Sequence, residues 1–145
     1  MLRGAREAEH EPGRRVELVQ TFTLGDYSFT LQPFGPVHSD GDLTMLVQPG
    51  GVLFSGDLIF EGRVPFVGDA DTRRWIEVLD GLLKGRLSAL VPGHGAASRN
   101  PDATLSLTRD YLAFLRAVMG KAVEEMQSFD EAYAAVDWSR YRDLP

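Results

Sequence analysis

His10, His38 and His94 are the only histidines of this 145-residue chain, and it has no cysteine. Without a thiol there is no disulfide, no thiolate ligand and no cysteine nucleophile, so any metal must be held by imidazole and carboxylate. Two of the histidines stand in short, polar, glycine-bearing segments: His38 opens HSDGD (residues 38–42), and His94 lies in PGHG (92–95). A third segment of the same character, SGD (55–57), ends on Asp57. Neutral imidazole binds zinc or iron at about 2.0–2.1 Å, and a carboxylate can bridge two metals. Water on such a metal ionises near pH 7, which makes a hydroxide nucleophile without serine or cysteine. Taken singly, Asp57 reads as a turn carboxylate and His94 as a turn histidine bonded to a carbonyl. Only their joint placement raises them above that.

The elements around the three segments set that placement. Residues 16–24 and 27–34 read as strands joined at Gly25-Asp26, and 43–48 and 52–55 as a second pair across Pro49-Gly50-Gly51. Helical period begins at Asp71, an N-cap, with Trp75, Ile76, Leu79, Leu82 and Leu83 on one stripe and Gly85 ending the run. A strand follows at 87–91. A long helix then starts from Asn100 and Pro101, with a stripe through Tyr111, Leu112, Leu115, Val118, Met119, Ala122 and Met126. Ser128 and Glu131 form a capping box for a last helix over 129–136.

In an antiparallel hairpin, the entry to the first strand and the exit from the second share one open end, which sets residues 38–42 beside Asp57. A strand–helix–strand crossover makes the strands at 52–55 and 87–91 parallel, so His94 arrives at that same edge. Ligands of such sheets gather beyond the carboxyl ends of strands. His38, Asp57 and His94 are therefore the candidate metal ligands, and Asp57 the candidate catalytic carboxylate. An intermediate hypothesis is that these three could close on a single metal as a two-histidine, one-carboxylate face. His10 lies in the charged segment 1–15, read as a flexible arm ahead of one domain over 16–145. Arg63 and Phe66 follow the Asp57 segment and are candidates to line a substrate mouth, Arg63 facing an anionic group. Trp75 is expected in the core, and Trp138 and Tyr141 are expected to pin the tail.

A net charge of -6 with no basic block beyond Arg14-Arg15 argues against a nucleic-acid or anionic-membrane partner. No apolar run reaches the roughly 20 residues that span a bilayer. The segment 1–15 lacks the apolar stretch of a secretory signal, and the compartment, cytoplasmic or periplasmic, stays open.

Over residues 16–125 the chain resembles the metallo-β-lactamase-fold hydrolases. GPVHSDGD is similar to that superfamily's third histidine motif, VLFSGDLIF to its aspartate motif and LVPGHG to its final histidine motif. GDLIFEGRVPFVGDAD, leading into a Trp-bearing helix, looks most like the quinoprotein relay-system and sulfur-oxidation-associated metallohydrolases, and less like the hydroxyacylglutathione hydrolases. Val37 and Ser39 are minor departures, where glycine and threonine are commoner. The large departure is that the family's His-x-His-x-Asp-His motif is absent.

The resemblance implies an α+β, layered fold: the C-terminal half of a four-layer αββα sandwich, with a mixed sheet covered by helices on one face. It implies that His38 ligates a first metal, Asp57 bridges, and His94 ligates a second. The metals would be zinc (two in the complete site), with iron or manganese possible. The implied reaction is hydroxide attack on an ester, thioester, lactam or related bond of a small-molecule substrate. The alternative is a non-catalytic relative that serves as a binding or dimerisation module. Either way, half a sandwich leaves Leu43, Met45, Val47, Val52 and Phe54, or the alternate face, without cover, which predicts a homodimer or a partner supplying the missing half.

Overall fold

The computed structural model describes residues 18–145. The arm expected over residues 1–15, His10, and the first two residues of the first expected strand lie outside them. Five strands and three helices follow in the order β1 (Gln20–Leu24), β2 (Tyr27–Gly35), β3 (Asp42–Gln48), β4 (Val52–Phe60), α1 (Thr72–Leu82), β5 (Ala89–His94), α2 (Pro101–Glu124) and α3 (Phe129–Ala135). The strands lie side by side in sequence order, antiparallel from β1 to β4 and parallel between β4 and β5. That parallel pair is the crossover the sequence predicts, with α1 as its connecting helix.

Register divides the sheet into two unlike faces. One row runs Thr21, Thr30, Leu46, Leu53, Leu90 across the strands. Leu53 and Leu90 of that row are buried with Trp75, Leu79, Leu105 and Leu112 of the helices, and Leu46 packs against them. The neighbouring rows, Phe22-Phe29-Val47-Val52-Ala89 and Gln20-Leu31-Met45-Phe54-Val91, point the other way because side chains alternate along a strand. None of these joins the core cluster. Phe22 and Phe29 stack at 5.0 Å on that face, and Phe54 is 38% exposed. The result is a mixed sheet with helices on one face and an apolar surface on the other.

Each helix starts where a side-chain acceptor meets its free amides. Asp71 accepts from Arg74 N at 3.0 Å, Asn100 caps α2 ahead of Pro101, and Ser128 and Glu131 complete the capping box of α3. The hydrogen bonds from Ser128 hold the Glu131 carboxyl below the usual range. A carboxyl lowered in this way supports the folded state above its unfolded value and stops doing so as pH falls through its folded one. Far-UV circular dichroism is therefore expected to show a small drop in helical signal in acid as Glu131 is protonated, a pH step that Glu131→Gln removes.

Two expectations need correction. The stripe of the long helix does not reach Met126: the helix ends at Glu124, and Met126 stands beyond it at φ +54° and 92% exposed. The fourth strand does not stop at residue 55 but runs to Phe60, and the fifth runs on to His94. The two extend together because β5 keeps pairing with β4, Gly56 opposite Pro92 and Phe60 opposite His94, through bulges on both sides of Gly56.

Candidate active site

The extended β4–β5 pair decides where the acid and the imidazole stand. Asp57 sits within β4 at its irregular stretch, not in a loop after it, and His94 is the last residue of β5. His94 Nε2 lies 3.5 Å from Asp57 Oδ1, with both side chains a little under half exposed. Gly93 makes this approach possible. A Cβ there would fall on Asp57 Oδ1 and lie 2.6 and 2.7 Å from the Gly56 carbonyl carbon and oxygen. Gly95, at φ +97°, turns the chain away immediately afterwards, and its amide-side neighbour is tied back where Glu61 N donates to His94 O at 2.9 Å.

His38 is presented by the turn between β2 and β3. The buried Asp42 carboxylate organises that turn, accepting from the amides of His38 (2.5 Å) and Ser39 (2.8 Å) and from the Ser39 hydroxyl (2.8 Å). The ring then packs at 5.1 Å against the edge of Trp75 and at 5.8 Å from Phe60. Phe60 also stacks on His94 at 4.9 Å, nearly parallel. One phenyl ring thus contacts both imidazoles. Phe60 is itself pinned by Thr108 of α2, whose hydroxyl accepts from Phe60 N and donates to Phe60 O, while Trp75 Nε1 donates to Leu58 O at 2.9 Å. Asp42, Phe60 and Thr108 are positioning residues that motif reading passes over. Asp42 was visible only as part of a polar cluster, and Thr108 had no sequence signal, because a threonine on a helix is ordinary until its partner strand is known.

The structure therefore brings Asp57 and His94 into contact and holds His38 near them through Phe60. His38 Nδ1 is buried without a hydrogen-bond partner among the described residues. Among the described residues no group of three or more His, Asp or Glu stands ready to hold an ion, and Asp57 with His94 is the pair in direct contact. A catalytic zinc takes three protein ligands and a water, so the donors present have the right chemistry but not the number for a complete centre. Arg63 is half-buried on the connection that leaves β4, three residues beyond Phe60.

On the sheet side the same edge opens into a cleft of about 480 Å³. Asp57, Asp42 and Ser39 line it together with Leu31, Met45 and Phe54 of the uncovered face. Carboxylate and apolar surface are continuous there.

Asp57 within β4 and His94 at the end of β5 thus meet at one edge of a mixed sheet whose helices cover one face. The family model of the metallo-beta-lactamase superfamily matches residues 2–94, and the chain belongs to that superfamily. The match begins inside the segment expected as an arm. Among solved structures, the chain is similar to a metallo-beta-lactamase from Pontibacter korlensis (21% identity, TM-score 0.60, 68% of this chain and 47% of that one). It is also similar to the DIM-1 metallo-beta-lactamase exposed to ceftazidime (18%, 0.57, 67% and 45%). A double mutant of the sec-alkyl sulfatase PisA1 matches over 90% of this chain and 22% of its own, at 18% identity and TM-score 0.67. These likenesses show the fold. The chain spans less than half the length of each, and its sheet and helices correspond to one half of a metallo-beta-lactamase-type fold.

Proposed function

We propose that this chain carries one half of a metal-dependent hydrolase centre, with His94, Asp57 and His38 as its contribution and the remaining ligands supplied by whatever covers the open sheet face. The observation that carries this reading is the continuity of the apolar face with Asp57: an element laid on Phe54, Met45 and Leu31 reaches the carboxylate. Zinc is the metal favoured by mixed imidazole and carboxylate donors, and iron or manganese are compatible with them. In the superfamily such a centre supplies a hydroxide for attack on an ester, thioester, lactam or related bond.

This chain's own residues do the positioning. Asp57 is fixed by the bulge at Gly56, Phe60 shields one face of His94 from water, and Arg63 offers a cation to an anionic group of a small-molecule substrate. In the absence of the other half, a second copy of the chain covers the face, because a contiguous apolar surface of this kind associates. The uncovered face also favours a second reading, that the chain is a dimerisation module without catalysis.

Light scattering and zinc retention on the same samples separate these readings. Wild-type chain is expected to associate with rising concentration, and Phe54→Glu to stay monomeric with unchanged far-UV circular dichroism. Zinc retention is expected to fall along with association. A monomeric wild type, or Phe54→Glu holding as much zinc as wild type, would overturn the link between cover and site. A dimer that binds no zinc would establish the second reading.

A further inference from the structure

A larger apolar groove, about 1060 Å³, lies between α2, α3, the tail and the connection after β4. None of His38, Asp57 or His94 lines it. Its volume is at the upper end of ordinary small-molecule sites. Aromatic rings form much of its wall: Tyr111, Tyr141, Tyr133 and Trp138 pack edge-on or tilted against one another and against Phe114. The polar tip of Trp138 is already used, donating to Tyr133 O at 3.0 Å.

Two cations of the groove make no ion pair among the described residues. Arg116 and Arg142 line it, Arg116 giving a hydrogen bond only to Thr72. The nearby Arg109 and Arg140 are, by contrast, both paired, with Asp80 and Asp110. Tyr141 is only 4% exposed, its hydroxyl is buried, and Arg140 stands over its ring. Burial holds the Tyr111 and Tyr141 phenols above the usual tyrosine range, so both are neutral donors at physiological pH. Glu124 is the single carboxylate on the wall. An apolar groove whose wall carries two guanidiniums that make no ion pair within 4 Å among the described residues is complementary to a molecule with a long apolar body and one negative head.

We propose that this groove binds a free long-chain carboxylate, the chain lying on the aromatic wall and the head meeting Arg116 and Arg142. The test is titration of the full chain with dodecanoate, below its micellar concentration, followed by Trp138 fluorescence and calorimetry. Saturable one-to-one binding is expected, at least tenfold weaker for dodecanol and at least tenfold weaker in the Arg116→Gln/Arg142→Gln double variant. Both arginines are exposed, so this variant is expected to fold. Absent saturation, equal binding of dodecanol, or binding indifferent to the double variant would each overturn the proposal.

Discussion

Gly93→Ala is expected to lower the melting temperature and to cut zinc binding at least tenfold, although it adds one methyl group at an exposed position. The added Cβ cannot be accommodated by rotating a side chain. It meets the Asp57 carboxylate on one side and the Gly56 backbone at 2.6–2.7 Å on the other. Either β5 lifts away from β4 at the Gly56–Pro92 pair or Asp57 is pushed out of its place beside His94. Overpacking against backbone costs about 1–3 kcal/mol, which for a domain of this size is a fall of roughly 3–10 °C. Gly81→Ala is the matched control. It lies in α1 with nothing within 4 Å of its added methyl, so it should be neutral or stabilising by about 0.5–1 kcal/mol. Thermal melts of the two variants alongside wild type check the pair. A Gly93→Ala protein that melts with wild type and binds zinc equally would mean that the close β4–β5 approach does not position the site.

Trp75→Ala is expected to have the largest effect on stability. Trp75 is fully buried at the centre of the core, donates to Leu58 O, and supports both Phe60 and His38. Truncating a buried tryptophan costs about 3–5 kcal/mol through lost burial and the cavity left behind. The orphaned Leu58 carbonyl adds to that loss. Against a total stability of about 5–15 kcal/mol that is a large fraction of what holds the fold. Trp75→Phe keeps most of the packing and loses the hydrogen bond, so it should cost about 1–3 kcal/mol. Chemical denaturation of the three proteins gives the order. If Trp75→Phe were as damaging as Trp75→Ala, the hydrogen bond to Leu58, and not the packing, would be what fixes the β4 end.

The organisation of the fold was legible because each element carried its own signal. Pro49-Gly50-Gly51 marked the hairpin, Asp71, Asn100 and Ser128 marked helix starts, and the strand–helix–strand order made β4 and β5 parallel. That parallel pairing was enough to bring Asp57 and His94 to one edge. What could not be read was the extension of both strands. SGD and PGHG look like turns because glycine and proline normally end strands, yet here they pair across a bulge. The contact of Phe60 with both His38 and His94 could not be read either, because a phenylalanine four residues before Val64 announces only burial. The Thr108 link to Phe60 and the Tyr141 hydroxyl were invisible for a related reason, since each acquires meaning only from a neighbour distant in sequence.

The central claim is that Asp57 and His94 are half of a metal centre, and an equilibrium zinc titration against a competing chelator tests it most directly, on wild-type chain, Asp57→Asn and His94→Ala. A complete protein zinc site is worth about 10–16 kcal/mol. A two-residue share should hold zinc more weakly than about 1 µM, which corresponds to roughly 8 kcal/mol. Each variant should weaken it at least tenfold further while keeping the wild-type fold by circular dichroism. Zinc binding that neither substitution alters, or nanomolar binding by the unassociated chain, would contradict the account.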